Sequence, residues 1–160
     1  MIILGVDPGT AITGWGIVEF HRHTYTCIDV GVITTPVGQT DENRLMILYD
    51  DLRTLIKRYK PQAAAIEKLF FNTNAKTALL VGQARGVIML AIVKSKIPIY
   101  SYTPLQVKIA ITGYGRAEKR QMQEMVKTLL KLDKIPRPDD AADALAVALT
   151  HGFSTNQTRS

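Results

Sequence analysis

The 160-residue chain has one cysteine, Cys27, and three histidines. A lone thiol cannot close an internal disulfide, so the chain is expected in a reducing compartment, with Cys27 as a small buried hydrophobe. No Cys/His set has the spacing of a zinc site. His21 and His23, two apart in a polar turn, are expected to be solvated. The amino terminus lacks a basic region followed by an apolar run and a small-residue cleavage site, so no signal peptide is expected. Residues 78–93 are apolar at twelve of sixteen positions, interrupted by Gly82, Gln83, Arg85 and Gly86. That stretch reads as too short and too broken for a bilayer span, which needs ~20 apolar residues. The expectation is a cytoplasmic protein without a membrane anchor.

What is present describes an ordinary globular composition, 46% apolar and 21% charged, in one domain large enough to bury a core. The net charge of +6 hides an asymmetry. Residues 1–56 carry three Lys/Arg against seven Asp/Glu, whereas residues 57–160 carry seventeen against seven. A basic half suits a polyanion such as nucleic acid, although it also serves solubility.

The element pattern is that of an α/β fold. Ile2-Ile3-Leu4-Gly5-Val6 is continuously apolar and closes in Asp7-Pro8-Gly9, as expected of a central strand covered on both faces. Residues 13–19 and 24–33 are β-rich and complete three strands in hairpin order. Thr40-Asp41-Glu42 opens a helix whose apolar face runs from Leu45 to Tyr59, ending at Pro61. Residues 63–67 form a second short apolar strand. The stretch 78–93 is expected to be a helix buried on two sides, one on the sheet and one on a partner subunit, with Gly82 and Gly86 permitting close approach. Residues 99–102 form another strand, Thr103-Pro104 starts a helix carrying Lys108, and residues 113–120 form a flexible basic loop. An amphipathic helix then runs to about Leu132, and a last one begins at Asp139. Residues 154–160 are expected to be a disordered tail after a domain spanning 1–153.

Carboxylates recur at element ends. Asp7 and Glu67 each follow an apolar strand, and the exit of a strand in a helix-flanked sheet is where ligands gather. Asp7 could instead simply begin a turn. Asp140 and Asp143 share one face at the start of the last helix, where a capping role is the alternative. Clustered acids repel unless cations intervene, and all-carboxylate ligation selects Mg²⁺ or Mn²⁺. Two such ions could stabilise both the attacking and leaving oxygens of a phosphodiester. The adjacent aromatics Phe70-Phe71, in a polar loop, could stack on unpaired bases or tuck into the core. Arg116, Lys119 and Arg120, beside glycines, suit a phosphate-backbone clamp. His151, eight residues beyond Asp143, could serve the site or the helix end.

Gly5-Val6-Asp7-Pro8-Gly9-Thr10, Ala65-Ile66-Glu67, Gly82-Gln83-Ala84-Arg85-Gly86 and Asp140-Ala141-Ala142-Asp143-Ala144-Leu145-Ala146, in this order, closely resemble the bacterial RuvC Holliday-junction resolvases. The resemblance covers roughly residues 1–153. It implies a ribonuclease H-like fold with a mixed central sheet flanked by helices, a homodimer, and Mg²⁺-dependent symmetrical nicking of two strands at a four-way DNA junction. It implies cooperation with a branch-migration motor of the RuvA and RuvB type. Position by position, it makes Asp7, Glu67, Asp140 and Asp143 the metal-binding acids, Phe70 the aromatic that engages bases, and Lys108 and Lys119 the basic residues near the scissile phosphates. Asp139 and Phe71 remain alternatives to Asp140 and Phe70. Other readings are an RNA nuclease of the same fold, a non-enzymatic junction-binding protein, and an actin-like phosphate loop at Asp7-Pro8-Gly9-Thr10.

Overall fold

The computed structural model describes residues 1–9, 11–68 and 74–157. Phe70 and Phe71 lie outside the described residues, as does Thr10. The elements are β1 (Ile2–Asp7), β2 (Ile12–His21), β3 (Thr24–Thr34), α1 (Asp41–Tyr59), β4 (Ala63–Glu67), α2 (Ala75–Lys94), β5 (Ile99–Tyr102), α3 (Pro104–Thr112), α4 (Lys119–Leu129) and α5 (Asp139–Gln157).

The strands form one sheet in the order β3-β2-β1-β4-β5, antiparallel among the first three and parallel from β1 through β5. β1 sits at its centre, as its continuous apolar run requires. Successive side chains point to opposite faces. On one face Ile3, Ala63 and Ala65 join Val107, Val126, Leu145 and Leu149 of α3, α4 and α5. On the other, Leu4, Val6, Ala64 and Ile66 meet Leu48, Leu52, Ile88 and Ile92 of α1 and α2. The result is a three-layer α/β/α arrangement.

Small residues let α5 lie directly on the strands. Gly5 pairs with Gly16 on β2 and with Ala65 on β4. A Cβ at Gly5 would be driven into the carbonyl oxygen of Ala144, and one at Gly14 into that of Asp140. The helix answers with Ala141, Ala142, Ala144, Ala146 and Ala148, all buried.

Local chemistry sets the helix ends. Thr40 caps α1 by accepting from the Asn43 N–H, and Lys60 closes it in the left-handed region. Thr103 and Gln106 form a reciprocal capping box on α3, with Pro104 in the first turn. α4 begins at Lys119, so the expected basic loop is shorter than 113–120 and places Lys119 and Arg120 on a helix.

Two further expectations change. α5 continues to Gln157, so the polar stretch expected to be disordered from Ser154 is helical over its first four residues. Ser154 is tied in, its hydroxyl donating to the His151 carbonyl and contacting the Tyr102 hydroxyl at 3.0 Å. α2 spans 20 residues rather than sixteen, with a mean hydropathy of 1.5 over its most apolar 18-residue stretch, which by length and composition alone is enough to cross a membrane. Shortness therefore does not exclude a span. The helix instead packs Ala84, Ile88, Ala91 and Ile92 against the sheet, while Leu79, Leu90 and Val93 on its outer side are exposed.

The close seating of α5 makes Gly5→Ala an over-packing substitution, expected to cost about 1–3 kcal/mol or more. For a chain of this size, each kcal/mol lowers the melting temperature by about 2–4 °C. Thermal unfolding should register that loss, and an unchanged midpoint would show that helix and sheet separate freely.

Candidate active site

Strand parity aims the first two acids. Ile3, Gly5 and Asp7 share the α5 face of β1; Ala63, Ala65 and Glu67 share it on β4. Val6 and Ile66 are register partners, so Asp7 and Glu67 leave two adjacent parallel strands side by side. The seating of α5 brings in the other pair. The Asp140 backbone rests on Gly14, the register partner of Asp7, and its Oδ1 faces the turn at Gly9. Asp143, one turn along, lines a cleft of about 260 Å³ with Glu67, Lys108, Lys119, Val107 and Met122.

The grouping is electrostatically costly. Burial and the carboxylates of Asp143, Glu67 and Asp140 push the Asp7 carboxyl up to about 8, with Lys119 opposing. Burial, then Asp143, raises Glu67 against the pull of Lys119 and Lys108. Burial is also the main cause of the rise at Asp143, which Lys119 counters. The Lys119 ammonium stands 3.4 Å from both Asp143 and Asp139.

Asp139 meets the site through Lys119, on its Oδ2; its Oδ1 accepts from Gln123 Nε2 at 3.0 Å and from Arg137 at 2.9 Å. Lys108 joins the acids at the cleft. Arg116 and Arg120 do not; they line a neighbouring groove of about 570 Å³ with Tyr114, Glu118, Gln121 and Glu124. His151 lies eight residues along α5 from Asp143, about 12 Å at the helical rise. It is buried, its Nδ1 2.8 Å from the Tyr102 hydroxyl and its ring stacked on Tyr100. The structure thus places it in the packing of α5 on β5 rather than among the acids.

Sequence reasoning passed over Gln123. It is 6% exposed and occupies the stripe of Val126 and Leu130 at three- and seven-residue steps. A polar residue on an otherwise apolar stripe was the available signal.

Among the described residues, no three carboxylate, imidazole or thiolate groups stand close enough to enclose an ion as placed. The donor chemistry still fits a hard divalent cation, being all oxygen and mutually repulsive. Such a set can hold positive charge beside a phosphate, and Lys108 and Lys119 can meet the phosphate itself.

A family model described as crossover junction endodeoxyribonuclease RuvC matches residues 3–151. The chain belongs to the RuvC family. The RuvC crossover junction endodeoxyribonuclease of Chloroflexus aurantiacus is 56% identical over 154 residues, covering 96% of this chain and 94% of that protein. A Thermus thermophilus RuvC structure superposes with a TM-score of 0.90 at 34% identity, covering 99% of this chain and 97% of that one. T. thermophilus RuvC in complex with a Holliday junction substrate also gives 0.90, at 31% identity and 98% and 96% coverage. The fold is therefore the ribonuclease H-like fold of RuvC proteins.

The raised carboxyl at Asp7 has a signed consequence. Its proton is held more tightly in the fold than in the unfolded chain, so the contribution of Asp7 to metal-free stability is full below about pH 4 and is lost as pH rises through about 8. In EDTA, the melting temperature should fall between pH 5 and pH 9, and Asp7→Asn should flatten that fall; Glu67 and Asp143 sustain the remainder. Parallel profiles for the two proteins would contradict the coupling.

Proposed function

We propose that the chain is a structure-specific endonuclease that resolves four-way DNA junctions by metal-dependent nicking of two strands, as part of recombination and repair. The observation that carries this reading is the convergence of Asp7, Glu67, Asp140 and Asp143 at the exits of β1 and β4 and the start of α5, within a chain that matches RuvC throughout. Those four acids would hold divalent cations, Mg²⁺ with Mn²⁺ as a substitute, two per site. Bound there, the ions supply a polarised water and charge stabilisation for an in-line phosphodiester displacement.

The chain's own residues do the rest. Lys108 and Lys119 lie at the cleft to neutralise the scissile phosphate, and Arg116 and Arg120 extend the basic track along the DNA. Phe70, three residues after Glu67, is assigned to the bases at the junction centre. The chain acts as one nuclease domain, which takes in α5 to Gln157, in the cytoplasm.

A junction with two-fold symmetry calls for two related cuts, and hence for a symmetric homodimer. The outer side of α2 is the surface assigned to it. Leu79, Leu90 and Val93 are 64%, 54% and 59% exposed, and nothing stands within 4 Å of a Cβ built at Gly82 or Gly86. Such a stripe is costly in water and lets two helices approach closely. A branch-migration motor of the RuvA and RuvB type is the accompanying partner.

The decisive test incubates the protein with a labelled four-way DNA junction, a linear duplex and an RNA of matched shape, with and without Mg²⁺. Paired symmetrical nicks are expected in the DNA junction alone, dependent on metal and abolished in Asp143→Asn while junction binding persists. Binding without nicks in Mg²⁺, and again when Mn²⁺ replaces it, would make the protein a junction-binding scaffold. Leu90→Arg is expected to convert dimer to monomer in analytical ultracentrifugation and to uncouple the two nicks; a variant that remained dimeric would move the interface off α2.

A further inference from the structure

We propose that Asp139 is a positioning residue for Lys119, holding its ammonium at the rim of the carboxylate group so that Asp143 stays open to a metal ion. The inference rests on the nuclease reading above and gives a role to Asp139 and Gln123, which that reading leaves without one.

The geometry is a short chain of contacts across three segments. Gln123, almost fully buried on α4, donates Nε2 to Asp139 Oδ1 at 3.0 Å. Arg137, in the turn before α5, donates to the same oxygen at 2.9 Å. The other oxygen, Oδ2, stands 3.4 Å from Lys119 Nζ, and that nitrogen is equally 3.4 Å from Asp143 Oδ2.

The ammonium is thus shared between two carboxylates of unequal standing. Asp139 is anchored on its far oxygen by two donors, one of them buried. Asp143 is a member of the acid group and carries the Coulomb load of Asp140 and Asp139 beside it. A lysine and a divalent cation compete for the same Asp143 oxygen. Without Asp139, the ammonium has one partner left, and that partner is the proposed metal ligand. With Asp139 in place, a cation arriving at Asp143 displaces the ammonium only as far as a fixed second carboxylate, where it remains beside the cleft and available to a phosphate. An aspartate at this position is therefore used in a way that its neighbour Asp140, turned towards Gly9, is not. The rigid anchor matters because exposed ion pairs between free side chains contribute little. Gln123 gives this one a fixed end.

The test is a double-mutant cycle of Asp139→Asn and Lys119→Ala, read by calorimetric Mg²⁺ titration of the DNA-free protein and by the Mg²⁺ dependence of junction cutting. In the wild-type background, Asp139→Asn should raise the half-saturating Mg²⁺ concentration roughly three- to tenfold while junction affinity in EDTA changes less than twofold. In the Lys119→Ala background the same substitution should leave Mg²⁺ affinity unchanged, because no ammonium remains to be held. Gln123→Leu should shift Mg²⁺ dependence in the same direction as Asp139→Asn, and Asp139→Glu should restore most of it. An equal loss of Mg²⁺ affinity in both backgrounds would overturn the proposal, making Asp139 a ligand or a source of field in its own right. Unchanged Mg²⁺ affinity in the wild-type background would overturn it as well. Melting temperatures of each variant separate these outcomes from misfolding, and failure of the wild type itself to cut junctions would count against the nuclease reading and not against this contact.

Discussion

Everything at the candidate site depends on how closely the backbone of α5 approaches the sheet. Gly5 and Gly14 are not needed for an unusual backbone angle; they are needed because a methyl group at either position would occupy the place of a carbonyl oxygen on the helix. Alanines on the helix side complete the same requirement. The separation between the strand acids and the helix acids is thereby fixed by van der Waals contact, the stiffest spacing device a protein has. Charge then accumulates where packing permits it. Burial first, and then the repulsion of the neighbouring carboxylates, lift Asp7; that is what the arrangement costs in the metal-free protein, and it is also why a cation would be bound.

Much of this was readable from the residues. β1 and β4 announce themselves as buried strands ending in a carboxylate; that Asp7 and Glu67 share a face follows from the register of Val6 with Ile66. The last helix is equally legible from its alanines and its Asp-x-x-Asp start. The topology that sets those pieces side by side, parallel between β1 and β4, came with the family resemblance rather than with the local pattern.

What escaped was set by tertiary contact. His151 shares a helical face with Asp143 on paper, yet two turns of α5 carry it beneath β5, where Tyr100 and Tyr102 enclose it. The polar residues from Ser154 look like a tail because composition reports solvation, but Ser154 is held by Tyr102 and the helix simply continues. The length of α2 was underestimated because polar Lys76 and Thr77 belong to its first turn, capped by the Asn74 side chain on the Lys76 N–H. Arg120 is adjacent in sequence to Lys119 but points into a different groove, since α4 turns each side chain by about 100° per residue, and Arg116, before the helix, lines that same groove.

α5 is both the most enclosed helix of the fold, with Ala141, Ala142 and every residue from Ala144 to His151 buried, and the carrier of two of the four acids. Elements of that kind do not open on their own; their amide hydrogens exchange with solvent only when the whole domain unfolds. Asp143 stands one residue before that enclosed run, so its place is tied to the core, and a variant that loses the core loses Asp143 from the site with it; Asp140, in the first turn of the helix, sits where helix ends open most easily.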